Sequence, residues 1–72
     1  MKTVIESVIG ITIYHRIEHE SWQVSDTGGE FDDKEHDELL EAETDAEDRE
    51  FYYLRLARYV TDQVIRPIII RK

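Results

Sequence analysis

The chain has 72 residues, with 17 acids against 9 bases, no cysteine and a formal net charge of -8. Without cysteine there is no disulfide framework, and the negative field repels phosphate, which excludes direct nucleic-acid binding and favours a basic partner. A chain this short buries only about 60% of the surface its unfolded form exposes, so a homodimer held by apolar strand or helix surface is the expected staple.

No run approaches the ~18 apolar residues of a membrane span. Met1-Lys2-Thr3-Val4-Ile5-Glu6 does not read as a secretory signal, because Glu6 interrupts it. The expected location is the cytoplasm. The charge is uneven: between Glu30 and Glu50 stand twelve acids and two bases, Lys34 and Arg49, whereas Phe51 to Lys72 holds five bases and one acid.

In chain order, Thr3 to Ile17 is rich in β-branched residues. Ile5, Ile9, Ile11, Ile13 and Ile17 are spaced as one face of a strand. Gly10 interrupts them, which predicts one long strand with a bend or two strands meeting there. Trp22-Gln23-Val24 predicts a second strand, paired back through a turn between Glu18 and Ser21. Asp26-Thr27-Gly28-Gly29 is a strong turn signal.

Leu39, Leu40, Ala42, Ala46, Tyr53, Leu54, Ala57, Val60 and Val64 recur at helical spacing. Two starts compete: a continuous helix capped at Asp32 or Asp33, and a helix opened by the capping box of Thr44 with Glu47. The second is favoured, with some helix before it, running to about Ile65 and ended by Pro67. Ile68-Ile69-Ile70 then predicts a short terminal strand, apolar on both faces, inside a sheet or at a subunit interface. The expected fold is a single α+β domain over 1–72: an N-terminal antiparallel β-hairpin (1–25), a turn and acidic segment (26–43), one major helix (44–66) and a terminal strand (67–72). The Ile5/Ile9/Ile11/Ile13 face should meet a helix face of Leu54, Ala57, Val60 and Val64.

The chain shows no catalytic apparatus and no cofactor pattern, so it is not expected to be an enzyme. His15-Arg16-Ile17-Glu18-His19 has the letters of an inverted zinc-peptidase motif. On a strand, however, the two imidazoles stand ~13 Å apart, too far to share one ion, and they read as solvent-facing. No calcium-loop spacing surrounds the acids, and Gly28-Gly29 lacks the lysine of a phosphate loop. Trp22, Phe51, Tyr52, Tyr53 and Tyr59 read as core and interface packing.

The acid run remains. Spread along a helix, its carboxylates approach the linear charge density of a nucleic-acid backbone, ~3.4 Å per phosphate on one strand. The segment EFDDKEHDELLEAETDAEDRE at Glu30–Glu50, in a small cysteine-free chain, resembles the phage-encoded inhibitors that mimic DNA and block host enzymes or nucleoid proteins of the HU type. The resemblance implies an inhibitor of a basic, DNA-binding host protein, acting in the host cytoplasm. The expected partner-binding face is Asp32, Asp33, Glu35, Asp37, Glu38, Glu41, Glu43, Asp45, Glu47 and Asp48. Two alternatives share this charge pattern: an interaction or assembly subunit whose acid face is only solvated, and an antitoxin-like neutraliser of a basic toxin.

Overall fold

The computed structural model describes residues 7–58 and 63–71. It is α+β, and the described residues form six strands, one 3-10 turn and a single α-helix. The isoleucine-rich segment forms β1 (Ser7–Ile9) and β2 (Ile11–Arg16), which meet at Gly10. The expected break is therefore present. It is fixed by Thr27, whose hydroxyl accepts the Gly10 N–H (2.9 Å) and whose N–H donates to the Gly10 carbonyl (3.0 Å). Ile17 leaves the strand pattern, because the chain turns through a 3-10 segment at Ile17–His19 and a left-handed Glu20. β3 (Ser21–Asp26) then returns antiparallel to β2, with Val24 opposite Ile13. A third strand, β4 (Lys34–His36), pairs with β3. The sequence gives little sign of it, since it is short, charged and at an edge.

α1 spans Leu39–Leu56. It begins at Leu39 rather than Thr44, and it is not the continuous helix from Asp32 or Asp33, because β4 occupies that segment. Glu38 is its extended N-cap residue and provides no side-chain cap, while Thr44 lies inside the helix and donates its hydroxyl to the Leu40 carbonyl (2.9 Å). Burial overrides the local cap signal. The inward stripe is Ala42, Ala46, Arg49 and Tyr53, and this i, i+4, i+7, i+11 row needs the earlier start.

The helix also ends before Ile65. Gln63–Ile65 is β5, paired in parallel with β1, so that Val64 faces Val8 and Ile65 faces Ile9 across the ladder. β-branched residues pack better there than on a helix. Pro67 therefore ends no helix; it falls between β5 and β6 (Ile69–Arg71), where its missing N–H interrupts a ladder instead. The break matches the one at Gly10, and the Arg66 N–H donates to the Ile9 carbonyl beside it (3.0 Å).

The main sheet has the order β4-β3-β2-β6, with β6 parallel to β2. A parallel return needs a crossover, and α1 supplies it by lying on one face. The core is Ile9, Ile11, Ile13, Val24, Ala42, Ala46 and Tyr53. The expected helix face is corrected here: Leu54 is exposed and Val64 belongs to a strand. Ile5, Tyr59 and Val60 lie outside the described residues. The second sheet face carries Thr12, Tyr14, Arg16, Gln23 and Ser25, with no helix over it among the described residues.

Candidate functional site

The most heavily bonded part of the molecule is a buried polar centre where the end of β3, the following turn and α1 meet. Arg49 is 3% exposed and the Asp26 side chain 0%. Arg49 Nη1 donates to Asp26 Oδ2 at 2.8 Å. Its Nε and Nη2 reach Asp45 Oδ1 and Oδ2 at 3.0 and 3.3 Å, and Nη2 also reaches the Asp32 carbonyl at 2.7 Å. The planar guanidinium fork suits this split engagement, which a lysine point charge does not reproduce. The other Asp26 oxygen accepts the Tyr53 hydroxyl (2.8 Å) and the Gly28 N–H (3.0 Å). Tyr53 in turn accepts the Glu30 N–H at 3.3 Å. His36 on β4 closes the chain by donating Nε2–H to Asp45 Oδ2 at 2.9 Å. Phe31 lies over the assembly, with the Arg49 guanidinium 5.4 Å from its ring centre.

Burial alone pushes the Asp45 carboxyl up, but hydrogen bonds from His36 and Arg49 outweigh it and hold the group below its ordinary range. Burial disfavours the Arg49 charge in the same way, and Asp45 and Asp26 more than restore it. The Tyr53 hydroxyl is pushed up to about 12, first by burial and then by its bond to Asp26. The Asp26–Arg49 pair is a buried internal ion pair. Among the described residues, no group of three or more acids, histidines or cysteines is placed to hold a metal.

The centre also sorts the acid run. Arg49, one of the two bases in Glu30–Glu50, is turned inward and neutralised, which leaves Lys34 as the exposed one. The ten expected face residues do not form one helical stripe. Asp32, Asp33, Glu35, Asp37 and Glu38 precede α1, and the six α1 acids divide between its two flanks by the helical period. Glu41, Asp45 and Asp48 fall on the flank toward β4, where Glu41 approaches His36 Nδ1 (3.9 Å). Glu43, Glu47 and Glu50 fall on the opposite flank, and Glu43 and Glu47 line a groove with Ile68 and Ile70. Asp32, Asp33, Asp37, Glu38, Glu41 and Asp48 are exposed, but only Glu41 and Asp48 share a helix flank, and Asp33 is bonded to Gln23 of the second sheet face. The fold removes Asp45 into the polar centre and separates Glu43 and Glu47 from the rest.

Glu35 is committed elsewhere. It accepts from Ser21 and His19 on the second sheet face, and the Ser21 bond before all else holds its carboxyl below the ordinary range. Next to it, Gln23 receives an Arg16 bond (3.2 Å) and donates to Asp33 (3.1 Å). His15 stacks on Trp22 at 4.1 Å, and His19 belongs to the 3-10 turn, so the two histidines share no helix face. Of the aromatic residues expected to pack, Tyr53 is buried and Phe51 and Tyr52 are exposed.

Asp26, Arg49 and Tyr53 form the polar centre of the fold, yet in the sequence Asp26 reads as part of a turn, Arg49 as one of two bases in the acid run and Tyr53 as a core aromatic. Two signals point to them. Asp45 and Arg49 stand at i, i+4, and Arg49 occupies the Ala42/Ala46/Tyr53 stripe. No protein-family model matches the chain, and neither a curated protein nor a solved structure shows significant similarity to it. No helix among the described residues is long and apolar enough to cross a membrane.

Proposed function

We propose that this is a binding protein, not an enzyme, whose acidic β4 flank engages a basic surface of a DNA-binding protein in place of DNA. One observation carries the reading. The fold buries Arg49 against Asp26 and Asp45, while Asp32, Asp33, Asp37, Glu38, Glu41 and Asp48 remain exposed. Besides holding the turn to the helix, this burial leaves Lys34 as the one exposed base among the acids of Glu30–Glu50. Concentrated carboxylates of one sign steer a basic partner and raise its association rate. The likeness to DNA-mimicking inhibitors supports the same reading, which implies action in the cytoplasm on a nucleoid or other DNA-binding protein.

The test is capture from a cell lysate at low and high salt, using the native chain and the variant D37N/E38Q/E41Q/D48N. These four positions are exposed, so the variant keeps the fold. Each exposed charge contributes ~0.2–1 kcal/mol, so the set should cost about 1–4 kcal/mol of binding. A basic DNA-binding protein captured by the native chain, lost in high salt and lost by the variant supports the reading. Equal capture by both chains overturns it.

A further inference from the structure

The buried stripe of α1 defines a row on the opposite side of the helix. By the helical period, Leu40, Thr44, Glu47, Phe51 and Arg55 stand across the helix axis from Ala42, Ala46, Arg49 and Tyr53. Arg58 extends the row past the helix end, where its N–H still donates to the Arg55 carbonyl (3.3 Å). A surface helix ordinarily turns polar residues to this side. Here Leu40 is 72% exposed, Phe51 64% and the adjoining Leu54 49%. The charges of the row are segregated. Glu47, with Glu43 beside it, stands before Phe51, and Arg55 and Arg58 stand after it. Phe51, Leu54, Arg55 and Arg58 border a depression of about 300 Å³, and the Arg55 guanidinium lies 5.8 Å from the Phe51 ring centre.

The occupant of this row needs an apolar middle, acids to meet Arg55 and Arg58, and bases to meet Glu43 and Glu47. The row itself, run in the opposite direction, has that order. We propose that two copies of the chain pair through the outer rows of their α1 helices, antiparallel, about a two-fold axis at Phe51. Residues equally distant from Phe51 then come level along the helices. Phe51 meets Phe51, Glu47 of each copy comes level with Arg55 of the other, and Thr44, next to Glu43, comes level with Arg58. A parallel pairing would instead set Glu47 against Glu47 and Arg55 against Arg55. The antiparallel contact is isologous, so it closes on itself and stops at two. It draws on no residue before α1, and it stands independently of the proposed binding function.

The experiment is sedimentation from low to high micromolar concentration of the native chain and of the variants Phe51→Lys, E43K/E47K and R55E/R58E. The native chain should reach twice the 8.6 kDa protomer mass. Phe51→Lys should stay at the protomer mass, because it places two lysines against each other at the axis. Each charge reversal alone should weaken association at least ~tenfold by setting like charges level with each other. An equimolar mixture of E43K/E47K with R55E/R58E should recover the dimer, since both sets of level charges are then opposite again. The substituted side chains lie away from the core, and unchanged circular dichroism separates a lost contact from a lost fold. A native chain at the protomer mass throughout overturns the proposal. So does a dimer that survives Phe51→Lys, or a mixture of the two reversals that associates no better than either alone.

Discussion

On the β6 side of the helix–sheet interface, Ile11, Ile13, Ala42 and Ala46 pack as an ordinary apolar layer. One helical turn further, the same layer holds Asp26, Arg49 and the Tyr53 hydroxyl. The first region is non-directional and tolerates rearrangement at modest cost. The second is directional: each oxygen of Asp26 and each nitrogen of Arg49 has an assigned partner. A buried pair of this kind adds little net stability over an apolar substitute, but it is costly to leave half-made. It anchors the turn after β3 and the Asp32 backbone to the helix, a segment that carries few large apolar side chains of its own. The comparison teaches that this small domain uses isoleucines where strands meet and a charge pair where loops must be held.

The sharpest way to break the comparison is to remove one half of the pair. Arg49→Met strands a buried Asp26 carboxylate and should cost ~3–5 kcal/mol in urea unfolding. Adding Asp26→Asn should return part of that loss, whereas independent sites would simply add. On the apolar side, Ile13→Ala should cost ~2–5 kcal/mol through lost burial and an unfilled cavity. Its effect should be the same at every pH, as expected of a region without titrating groups.

The polar centre should instead respond to alkali. Tyr53 is neutral when folded, with its pKa raised to about 12 from an ordinary 10.0. A raised folded pKa contributes stability in full below pH ~10, and that contribution fades as pH climbs through about 12. The difference is on the order of 2–3 kcal/mol. Tyr53→Phe should flatten this part of the stability profile, and an unchanged alkaline slope would remove Tyr53 from the account. The smallest expected effect is steric. The Tyr53 ring lies against Gly28, where an added Cβ would overlap it. Gly28→Ala should therefore cost ~1–3 kcal/mol and raise the tyrosine's exposure to solvent, seen as a change in near-ultraviolet circular dichroism.

Much of the fold was legible because periodicity reports burial. The alternation of Ile9, Ile11 and Ile13, the break at Gly10 and the terminal isoleucine strand all appear where the spacing predicts them. The helix limits were not. Thr44 and Glu47 have the form of a cap, but an isolated cap contributes ~1 kcal/mol, less than continuing the Ala42/Ala46 stripe into the core. Pro67 misled for a related reason, because proline interrupts a helix and a ladder alike, and only the pairing of Val64 and Ile65 with β1 tells which. The acid face was legible in content but not in arrangement. Net charge cannot reveal that Asp45 turns inward to Arg49, or that Glu43 and Glu47 fall on the other flank.

The functional claim turns on whether the acidic β4 flank and DNA compete for one surface. The direct measurement uses the basic protein captured by the chain, loaded with a fluorescent DNA duplex and titrated with the native chain at fixed salt. The account predicts full displacement of the duplex, with a midpoint that shifts to higher chain concentration as salt rises. The D37N/E38Q/E41Q/D48N variant should need a severalfold to several-hundredfold higher concentration, in line with about 1–4 kcal/mol. A ternary complex in which the partner holds duplex and chain together would contradict it.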